Sequence, residues 1–454
     1  MLLKPFLAYL KKYDLCHKNN RILVAVSAGV DSMVLAELFL SAGFDIGVAT
    51  CNHGFRAEES IADKDFVVDY FERKGVRVFA TDLEVMALVT GEKRNKQDAG
   101  RELRYAFFNK IAEENNFSHI ATAHHKNDNV ETMLFNLSNK TGVRGLSAIQ
   151  NSRKLTENMT LIRPLLFAEK TAIYAFSKIK NIPFREDPSN EKDSYKRNLI
   201  RNKVVPELEK VNNRFVQNAA ESISHLADYE LIINFFIKKI KEEIVFFDKK
   251  ITKIDFIKLK KYPAPTTILF ELIRDFGFNS SQTSEILDAL ESCHNGAQWH
   301  SESHRMISDR GFILIKNIKN NIVQNFDNEI IINKENSEIE FSNGKLSLEF
   351  DVQMPVTFSK NDDVIYIDVT KTAFPLRLRP WQAGDFFLPL GLSGKRKKVQ
   401  DFFTDLKFNL FQKEETILLE SDGNIVWIIG YRADERFRTS PTSSSVLRIT
   451  YLPK

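Results

Sequence analysis

A short loop near the N-terminus has the composition of a phosphate-binding turn. It follows the apolar run 22–26, precedes the apolar stretch 33–40 and reads Ser27-Ala28-Gly29-Val30-Asp31-Ser32. This order predicts a buried parallel strand, a loop of small residues and a helix. Backbone N–H groups at such a helix start are unpaired and lie at the positive end of the helix dipole, which favours a bound phosphate chain. Helix capping by Asp31 or Ser32 is the alternative interpretation.

Two carboxylates further along the chain are spaced to share one face of a helix. Asp128 and Glu131 are three residues apart within a predicted helix over 127–139. The apolar stripe that would turn toward the core consists of Val130, Leu134 and Leu137. Two carboxylates on an otherwise uncovered face suit capture of an ammonium group, and one of them could accept its proton. A solvated helix start, with Asp128 near the helix dipole, is the alternative interpretation.

Histidines and cysteines are the other residue types that could ligate a metal. His53, His124 and His125 are predicted at strand ends, where α/β proteins bind ligands. No cysteine or acidic partner accompanies them at zinc-ligand spacing, and the three cysteines of the chain form no C-x-x-C pair. The sequence therefore does not favour a zinc site, a disulfide framework or a cysteine-ligated cluster.

The elements that must position these residues alternate between strands and helices. Further strands are predicted over 44–52, 76–83 and 119–123, and a helix is predicted over 60–74. Strands that alternate with helical stretches indicate an α/β domain with a parallel sheet.

Seven short motifs follow one another in a distinctive order. Besides the loop they are His53-Gly54-Phe55-Arg56, Arg101-Glu102-Leu103-Arg104-Tyr105, Ala123-His124-His125-Lys126-Asn127-Asp128-Asn129-Val130-Glu131-Thr132, Arg163-Pro164-Leu165-Leu166, Asp187-Pro188-Ser189-Asn190 and Arg197-Asn198 with Arg201-Asn202. The loop resembles the S-G-G-x-D-S pyrophosphate loop of the N-type ATP pyrophosphatases. The whole series resembles that of the tRNA(Ile)-lysidine synthetase family within that superfamily.

The resemblance implies a reaction. Members of the family use ATP to ligate free L-lysine to C2 of the wobble cytidine of the isoleucine tRNA with a CAU anticodon. The tRNA is first adenylated, and lysidine, AMP and pyrophosphate are formed. ATP and Mg²⁺ are the implied cofactors, and the CAU-anticodon tRNA and L-lysine are the implied partners.

The resemblance also implies roles for particular residues. The loop 27–32 and His53 are expected to bind ATP, and Asp31 is expected to help seat Mg²⁺. Asp128 and Glu131 are expected to bind lysine. The expected catalytic residues are Asp31, Arg104, Asp128 and Glu131. The expected tRNA contacts in this part of the chain are Arg101, Arg197 and Arg201.

Besides the run 139–146, which lacks the family's first Arg-Gly, two positions depart from the family pattern. Ala28 stands where the family has glycine, which adds strain if that residue needs a positive φ. Asn127 replaces the first of two paired aspartates, so Asp128 is the one carboxylate that remains of that pair.

A basic turn near the C-terminus is the predicted tRNA-binding surface. Gly391-Leu392-Ser393-Gly394 leads into four consecutive cations, Lys395, Arg396, Lys397 and Lys398. This turn and the earlier R-x-x-x-x-G-D segment, with Arg377 and Arg379, resemble the family's C-terminal module. Consecutive cations on a glycine turn suit phosphate contacts with salt-sensitive affinity. A solvated basic loop is the alternative interpretation.

Length and charge are consistent with several domains and a nucleic-acid partner. The chain has 454 residues, and its formal charge is only +4, so RNA binding must depend on local basic patches. We predict an α/β ATP pyrophosphatase (adenine nucleotide α-hydrolase-like) catalytic domain over 1–213. A helical tRNA-recognition domain over 214–330 and a small α+β tRNA-binding domain over 331–454 are expected to follow. The N-terminus does not resemble a signal peptide and no apolar run is of membrane length, so a cytoplasmic location is expected.

Other interpretations stay open. A superfamily relative that thiolates tRNA would be expected to carry paired cysteines, and an amidotransferase-type synthetase would carry a glutaminase half; neither is present in the sequence. Ala28 and Asn127 leave open a catalytically impaired tRNA-binding protein, which tRNA-dependent AMP formation would distinguish from the enzyme. The sequence also leaves open whether the protein forms a homodimer.

Overall fold

The computed structural model describes residues 2–52, 57–83, 96–186, 196–248, 250–292, 296–318, 329–353, 362–392 and 394–454. The predicted ATP contact His53 and the 187–190 motif lie outside these residues, as does Ser393 of the basic turn. The chain divides into two compact units, Met1–Phe235 and Phe236–Lys454, and each is described by itself. The finer division into three domains stays a prediction.

Six strands form the central sheet of the first unit: β1 (Arg21–Ala25), β2 (Asp45–Asn52), β3 (Val78–Asp82), β4 (His119–Ala121), β5 (Ser152–Thr156) and β6 (Met159–Ile162). Their spatial order is β3-β2-β1-β4-β6-β5, and all neighbours are parallel except β5 and β6. The direction of strand order reverses between β1 and β4, which is where doubly wound sheets bind ligands. The predicted α/β fold is confirmed.

The helices that begin in this unit are, in chain order, α1 (Leu3–Lys12), α2 (Val30–Ser41), α3 (Ala57–Glu72), α4 (Lys96–Glu114), α5 (Lys126–Ser138), α6 (Val143–Leu146), α7 (Lys170–Ile179), α8 (Lys196–Leu199), a π-helical turn (Ile200–Val204), α9 (Val205–Val211) and α10 (Phe215–Ile244). The last residues of α10 belong to the second unit. Residues Ile22 and Val24 of β1 pack into one core, with α1 and α2. Leu23 between them packs into the opposite core, with Phe108 of α4. This two-sided burial explains why β1 is a continuous apolar run.

The second unit begins with a sheet that the sequence analysis did not predict. Its strands are β7 (Val245–Asp248), β8 (Ile251–Asp255), β9 (Gln298–His300), β10 (His304–Asp309) and β11 (Phe312–Asn317), in the antiparallel order β7-β8-β11-β10-β9. Its helices are α11 (Phe256–Leu259), α12 (Pro265–Ile273) and α13 (Ser280–Glu291), with a 3₁₀ turn at Arg274–Phe276. The expected helical region is therefore present, but its helices share one core with this sheet.

The rest of the second unit is built mainly from short antiparallel strands. One sheet has the order β12-β16-β19-β20-β21, a second has the order β13-β14-β22-β15, and β17 pairs with β18. The strands are β12 (Ile330–Ile332), β13 (Glu338–Phe341), β14 (Gly344–Glu349), β15 (Val364–Asp368), β16 (Leu376–Pro380), β17 (Phe386–Phe387), β18 (Lys397–Lys398), β19 (Ile417–Ser421), β20 (Asn424–Ile428), β21 (Arg432–Ala433) and β22 (Val446–Pro453). Two helices, α14 (Val399–Asp405) and α15 (Leu410–Glu415), complete the small α+β module.

Helix α15 joins the two parts of the second unit. The Phe411 ring is buried against Ile307 of β10 and Leu314 of β11. Beside it, the Arg305 guanidinium donates two hydrogen bonds to the Glu414 carboxylate, at 2.7 and 2.8 Å. An apolar contact and an ion pair therefore connect the β7–β11 sheet to the C-terminal module.

In the part of the chain that the structure describes, no helix has the length and apolar character needed to cross a membrane.

Candidate active site

A cavity of about 440 Å³ opens at the carboxyl ends of β1, β2 and β4, at the point where strand order reverses. It brings together residues from separate motifs of the sequence. The predicted site residues among its lining are Ser27, Gly29, Asp31, Ser32, Arg101, Arg104 and Asp128. The cavity is therefore bordered both by the loop and by the carboxylate-bearing helix.

The loop is held from within by Ser32. The Ser32 hydroxyl accepts a hydrogen bond from the Ser27 backbone N–H at 3.1 Å and donates to the Gly29 carbonyl at 2.9 Å. Gly29 is the N-cap of α2 and has no side chain to cap it, so the expected capping by Asp31 or Ser32 is wrong. The first N–H groups of a helix have no intrahelical partner, so those of α2 are available to an anion.

Ala28 adopts the conformation for which the family uses glycine. Its φ is +65°, and its side chain is buried in the core of the unit. A left-handed conformation costs an L-residue on the order of 1–2 kcal/mol. Burial of the methyl group recovers roughly 0.8 kcal/mol of that cost. The strain expected for a positive φ at Ala28 is therefore present and only partly offset.

Asp31 lies between Lys170 and His125 at the edge of the cavity. Lys170 at the start of α7 donates a hydrogen bond from Nζ to Asp31 Oδ2 at 2.6 Å. The His125 Nε2 atom lies 3.8 Å from Asp31 Oδ1. Among the described residues, Asp31 Oδ1 is buried without a hydrogen-bond partner. An unsatisfied carboxylate oxygen beside a phosphate-binding loop fits a cation that arrives with a ligand.

Asp128 belongs to the cap of α5. Its carboxylate accepts a hydrogen bond from the His125 backbone N–H at 2.9 Å, while the His125 ring accepts one from the Asp128 N–H at 3.4 Å. Burial acts to raise the pKa of the Asp128 carboxyl, but His125 and the Arg197 charge outweigh it, so the pKa lies below its usual range. Asp128 is therefore an ionised carboxylate at neutral pH.

The carboxylates of Asp128 and Glu131 are both covered by arginines. Arg201 donates from Nε to Glu131 Oε1 at 2.7 Å, and from Nη2 to Glu131 Oε2 at 2.9 Å and to Asp128 Oδ1 at 3.1 Å. Arg197 lies 3.5 Å from Glu131 and 3.7 Å from Asp128. Because Glu131 is only 2 % exposed, the expectation of an uncovered acidic face is wrong. Leu137 is 59 % exposed, so it does not complete the apolar stripe.

His124 lines the cavity beside Asp128. Its Nδ1 is 3.1 Å from the Thr122 hydroxyl. Burial lowers the pKa of His124 to about 4, with Arg163 acting in the same direction and Asp128 against it. The ring is therefore neutral at physiological pH and offers a hydrogen bond rather than a charge.

The predicted arginines of α4 face the same cavity. Arg101 and Arg104 line it together with Tyr105, over which the Arg101 guanidinium stacks at 5.1 Å from the ring centre. Among the described residues, Arg104 Nε is buried without a hydrogen-bond partner. A cationic donor left unpaired at the cavity suits an anionic ligand.

Asn127 has a different role from its neighbour Asp128. Its side-chain oxygen accepts a hydrogen bond from the backbone N–H of Lys170 at 3.1 Å. This N–H is the first of α7, whose N-cap residue Glu169 makes no side-chain capping bond. Asn127 thus connects the start of α5 to the start of α7. The sequence analysis missed Lys170, which no motif singled out.

The basic turn of the second unit is only partly free for phosphate contacts. Lys397 forms an ion pair with Asp405, and the Arg396 guanidinium stacks on the Phe386 ring at 3.3 Å from its centre. Lys395, Arg396 and Lys398 are exposed. The turn therefore presents cations to solvent while Lys397 also holds it to α14.

Arg379 is structural and does not belong to a basic surface. It donates two hydrogen bonds of 2.9 Å to Asp385 and one of 2.7 Å to Glu420. These partners explain the R-x-x-x-x-G-D spacing as an internal ion-pair network. Trp381 donates its indole N–H to the Lys413 carbonyl at 2.7 Å and packs edge-on against Phe403, so its ring belongs to the core of the C-terminal module.

No cluster of three or more potential metal-ligating side chains was found within the described ranges, which exclude His53. Asp31 is therefore the candidate cation ligand of this cavity.

Three protein-family models match successive segments of this chain. The PP-loop domain family matches residues 3–208, the TilS substrate binding domain matches 247–318, and the TilS substrate C-terminal domain matches 376–449. A tRNA(Ile)-lysidine synthase of Parabacteroides distasonis is 34 % identical over 446 residues, covering 98 % of each chain. The chain belongs to the tRNA(Ile)-lysidine synthase family.

Other members of the family give the same picture. The enzyme of Bacteroides thetaiotaomicron is 34 % identical over 447 residues, which are 98 % of this chain and 99 % of that protein. That of Porphyromonas gingivalis is 29 % identical over 439 residues, which are 94 % and 93 %. The predicted family, its ATP-using fold and its lysidine synthase activity are therefore confirmed, while the roles of individual residues stay predictions.

Proposed function

We propose that this lysidine synthase adenylates C2–O of the wobble cytidine in the CAU-anticodon isoleucine tRNA and then replaces AMP with free lysine. The observation that carries the proposal is the single cavity shared by the loop and the start of α5. A phosphate-binding loop and a carboxylate-bearing helix on one cavity allow two successive reactions at one carbon.

The ATP phosphates are proposed to lie on the loop 27–32, with Arg104 near the α-phosphate. Support comes from the first N–H groups of α2 and from the unpaired Arg104 Nε. In the first step the cytosine O2 attacks the α-phosphorus. The bond from that phosphorus to the bridging oxygen breaks, and the electron pair leaves with pyrophosphate. His53 remains a proposed ATP contact.

Asp31 is proposed to hold Mg²⁺ on these phosphates. Its buried Oδ1 fits such an ion, because Mg²⁺ is usually bound by one or two carboxylates plus substrate phosphates. When bound, Mg²⁺ supplies charge neutralisation to the phosphate chain. The protein would contribute one carboxylate to this arrangement, and Lys170 lies beside it.

Lysine is proposed to bind through its ε-amino group to Asp128 and Glu131. These carboxylates are at present paired with Arg197 and Arg201, so the ammonium must take the place of a guanidinium. The arginines are also proposed tRNA contacts, together with Arg101. The side chains of Arg197 and Arg201 are 43 % and 36 % exposed, so a tRNA phosphate can reach them. We therefore propose that tRNA draws Arg201 onto its backbone and so opens Glu131 to lysine.

The second step requires a neutral amine. The lysine nitrogen attacks C2, the bond from C2 to O2 breaks, and AMP leaves with that oxygen. The proton lost from nitrogen is proposed to pass to Glu131 or Asp128, because an amine with a reference pKa of about 10.4 is protonated at neutral pH. His124 is a hydrogen-bond partner in this scheme, since its pKa of about 4 makes its imidazolium form rare.

The second unit is proposed to bind the body of the tRNA. The exposed cations of the turn 395–398 would contact phosphates, and the helical and C-terminal regions would act as separate recognition domains with boundaries near 213 and 330. Such a substrate suits a cytoplasmic enzyme. Formation of a homodimer remains part of the proposal.

Mass spectrometry of tRNA nucleosides tests the whole reaction. CAU-anticodon isoleucine tRNA is incubated with the enzyme, ATP and isotope-labelled lysine. The expected product is a cytidine enlarged by one labelled lysine, with one AMP per lysidine. Reactions without ATP or with unlabelled lysine are controls. Tight tRNA binding without AMP or lysidine would instead identify a catalytically impaired tRNA-binding protein.

A further inference from the structure

Lys170 is the cation closest to the loop carboxylate, and no motif of the sequence analysis includes it. Its ammonium donates to Asp31 Oδ2 at 2.6 Å, while Asp31 itself lines the cavity. The Lys170 and Asp31 side chains are 34 % and 25 % exposed, so the pair stands at the rim and is not sealed in the core. An ammonium one hydrogen bond from the cavity is well placed to meet a phosphate.

Neighbouring contacts fix the backbone from which Lys170 extends. The Asn127 side-chain oxygen accepts from the Lys170 N–H at 3.1 Å, and the Lys126 N–H donates to the Ala168 carbonyl at 2.9 Å. Lys126 Nζ also donates to Glu169 at 3.1 Å. Three hydrogen bonds thus connect the start of α7 to the start of α5. The backbone of Lys170 is held, and its long side chain is the part that can move.

The Asp31 carboxylate is expected to need Lys170 as its counter-charge before ATP binds but not afterwards. Without nucleotide, the ammonium neutralises the carboxylate. A phosphate chain and its cation on the loop would neutralise Asp31 from the side of Oδ1 and would free the Lys170 ammonium for the anionic ligand. Lysine has a compact charge on a four-carbon stem, which suits such an exchange.

We propose that Lys170 binds the β- and γ-phosphates of ATP and stabilises pyrophosphate as it leaves, and that Asn127 is the residue that positions it. The inference rests on the proposed placement of ATP. When the α-phosphorus–oxygen bond breaks, the electron pair stays on pyrophosphate, and Lys170 meets that charge without losing its proton. Asn127 supplies the hydrogen-bond acceptor without adding a negative charge that would compete for the Lys170 ammonium.

Binding of pyrophosphate tests the proposal without requiring turnover. Calorimetry measures the affinity of the full-length protein for pyrophosphate with Mg²⁺, and for AMP. Lys170→Met is expected to weaken pyrophosphate binding by about 10- to 100-fold, the loss typical of a hydrogen bond between charged groups, and to change AMP binding less than about twofold. Lys170→Arg should recover part of the loss. Lys170→Gln serves the same purpose if the methionine variant does not fold.

Lys178→Met is the matched control, because Lys178 is an exposed lysine in the last turn of the same helix, far along the chain from Asp31. It should bind pyrophosphate like the parent. An unchanged pyrophosphate affinity in Lys170→Met would overturn the proposal, as would an equal loss of AMP and pyrophosphate affinity. The result is distinct from failure of the proposed ligation, which would leave pyrophosphate binding in place while no lysidine forms.

The positioning role of Asn127 is tested through Lys170. Asn127→Ala should weaken pyrophosphate binding several-fold, while Asn127→Asp, which retains an acceptor oxygen, should weaken it less. In the Lys170→Met background, Asn127→Ala should have no further effect on pyrophosphate. Additive losses in the double variant would mean that Asn127 acts on the site independently, and the assignment of its role would be wrong.

Discussion

Arg201 donates two hydrogen bonds to the Glu131 carboxylate, from Nε to Oε1 at 2.7 Å and from Nη2 to Oε2 at 2.9 Å. Burial alone would lower the pKa of the Arg201 guanidinium, but Glu131 outweighs burial and raises it. A guanidinium thus fills the place in which an incoming ammonium is proposed to bind. Lysine binding and arginine release are therefore expected to be one event.

Replacement of Glu131 should affect lysine more than ATP. In Glu131→Ala the apparent KM for lysine is expected to rise at least about tenfold, because the substitution removes a charge-assisted hydrogen bond, while that for ATP changes little. Steady-state AMP release measured against each substrate checks this. Glu207→Ala, which removes an exposed carboxylate of α9, is the control. An unchanged lysine KM with loss of ATP affinity would assign this helix to the nucleotide.

Removal of the Arg201 charge should make lysine bind more tightly and tRNA more weakly. Arg201→Met leaves Glu131 buried without its bidentate partner, which destabilises the folded chain by a few kcal/mol. Added lysine should recover part of that loss. Thermal unfolding with and without lysine measures the effect, and a larger lysine-induced rise in Tm than in the parent is expected. Equal rises in both proteins would show that arginine and lysine do not share the site.

Asp31→Ala and Ser32→Ala should each abolish adenylation and leave tRNA binding nearly unchanged. Asp31 is the candidate cation ligand, and Ser32 holds the loop through Ser27 and Gly29. Release of AMP and a filter-binding assay with tRNA measure the two properties separately. Full AMP production by Asp31→Ala would remove the loop from the mechanism.

Neutralising Lys395, Arg396, Lys397 and Lys398 together should weaken tRNA binding and flatten its salt dependence. For every phosphate that is no longer neutralised, the slope of log affinity against log salt falls by somewhat under one unit. AMP formation should survive at saturating tRNA, since the cavity belongs to the first unit. Titrations of tRNA at several salt concentrations measure the slope.

The ion pair of Lys397 with Asp405 calls for a milder variant as well. Lys395→Ala with Lys398→Ala leaves that pair in place and should remove part of the slope. Lys4→Ala with Lys11→Ala, two exposed lysines of α1, is the control for net charge. If the quadruple variant keeps the parent's affinity and slope, the turn is a solubilising surface and does not bind tRNA.

His124 should make the stability of the enzyme depend on pH. Burial holds its folded-state pKa near 4, below the ordinary value of 6.5, so between these values the unfolded chain binds a proton that the folded chain does not. The contribution is fully present above pH 6.5 and is lost as the pH falls toward 4. Relative to His124→Gln, the parent should lose about 2 kcal/mol more stability between pH 7.5 and pH 5. Urea unfolding at both values checks this, and equal losses in the two proteins would contradict it.

Local patterns explain which parts of the site were predictable. The run 22–26, the small residues after it and the apolar stretch beyond them define β1, the loop and α2 through adjacent residues. The spacing of Asp128 and Glu131 likewise defines one helix face. Their partners were not predictable in this way, because Arg201 is 70 residues from Glu131 and Lys170 is 139 residues from Asp31 along the chain. Only the folded sheet brings them together.

The sheet of the second unit shows a different limit. The helices expected within 214–330 are present, but β7 and β8 are only 4 and 5 residues long. Strands this short lack enough alternation to be separated from neighbouring helices. β8 pairs with β11, about sixty residues later in the chain, and β7 pairs with β8, so both strands depend on a distant partner.

The junction at α15 has a mechanical consequence. Phe411 and the Arg305–Glu414 pair connect the β7–β11 sheet to the C-terminal module. The two regions that match the family's substrate domains are therefore held at a set spacing. An RNA bound to one region reaches the other at a high effective concentration only if its own dimensions match the spacing of the two regions. We propose that both regions bind RNA, so that their spacing selects an RNA by its dimensions.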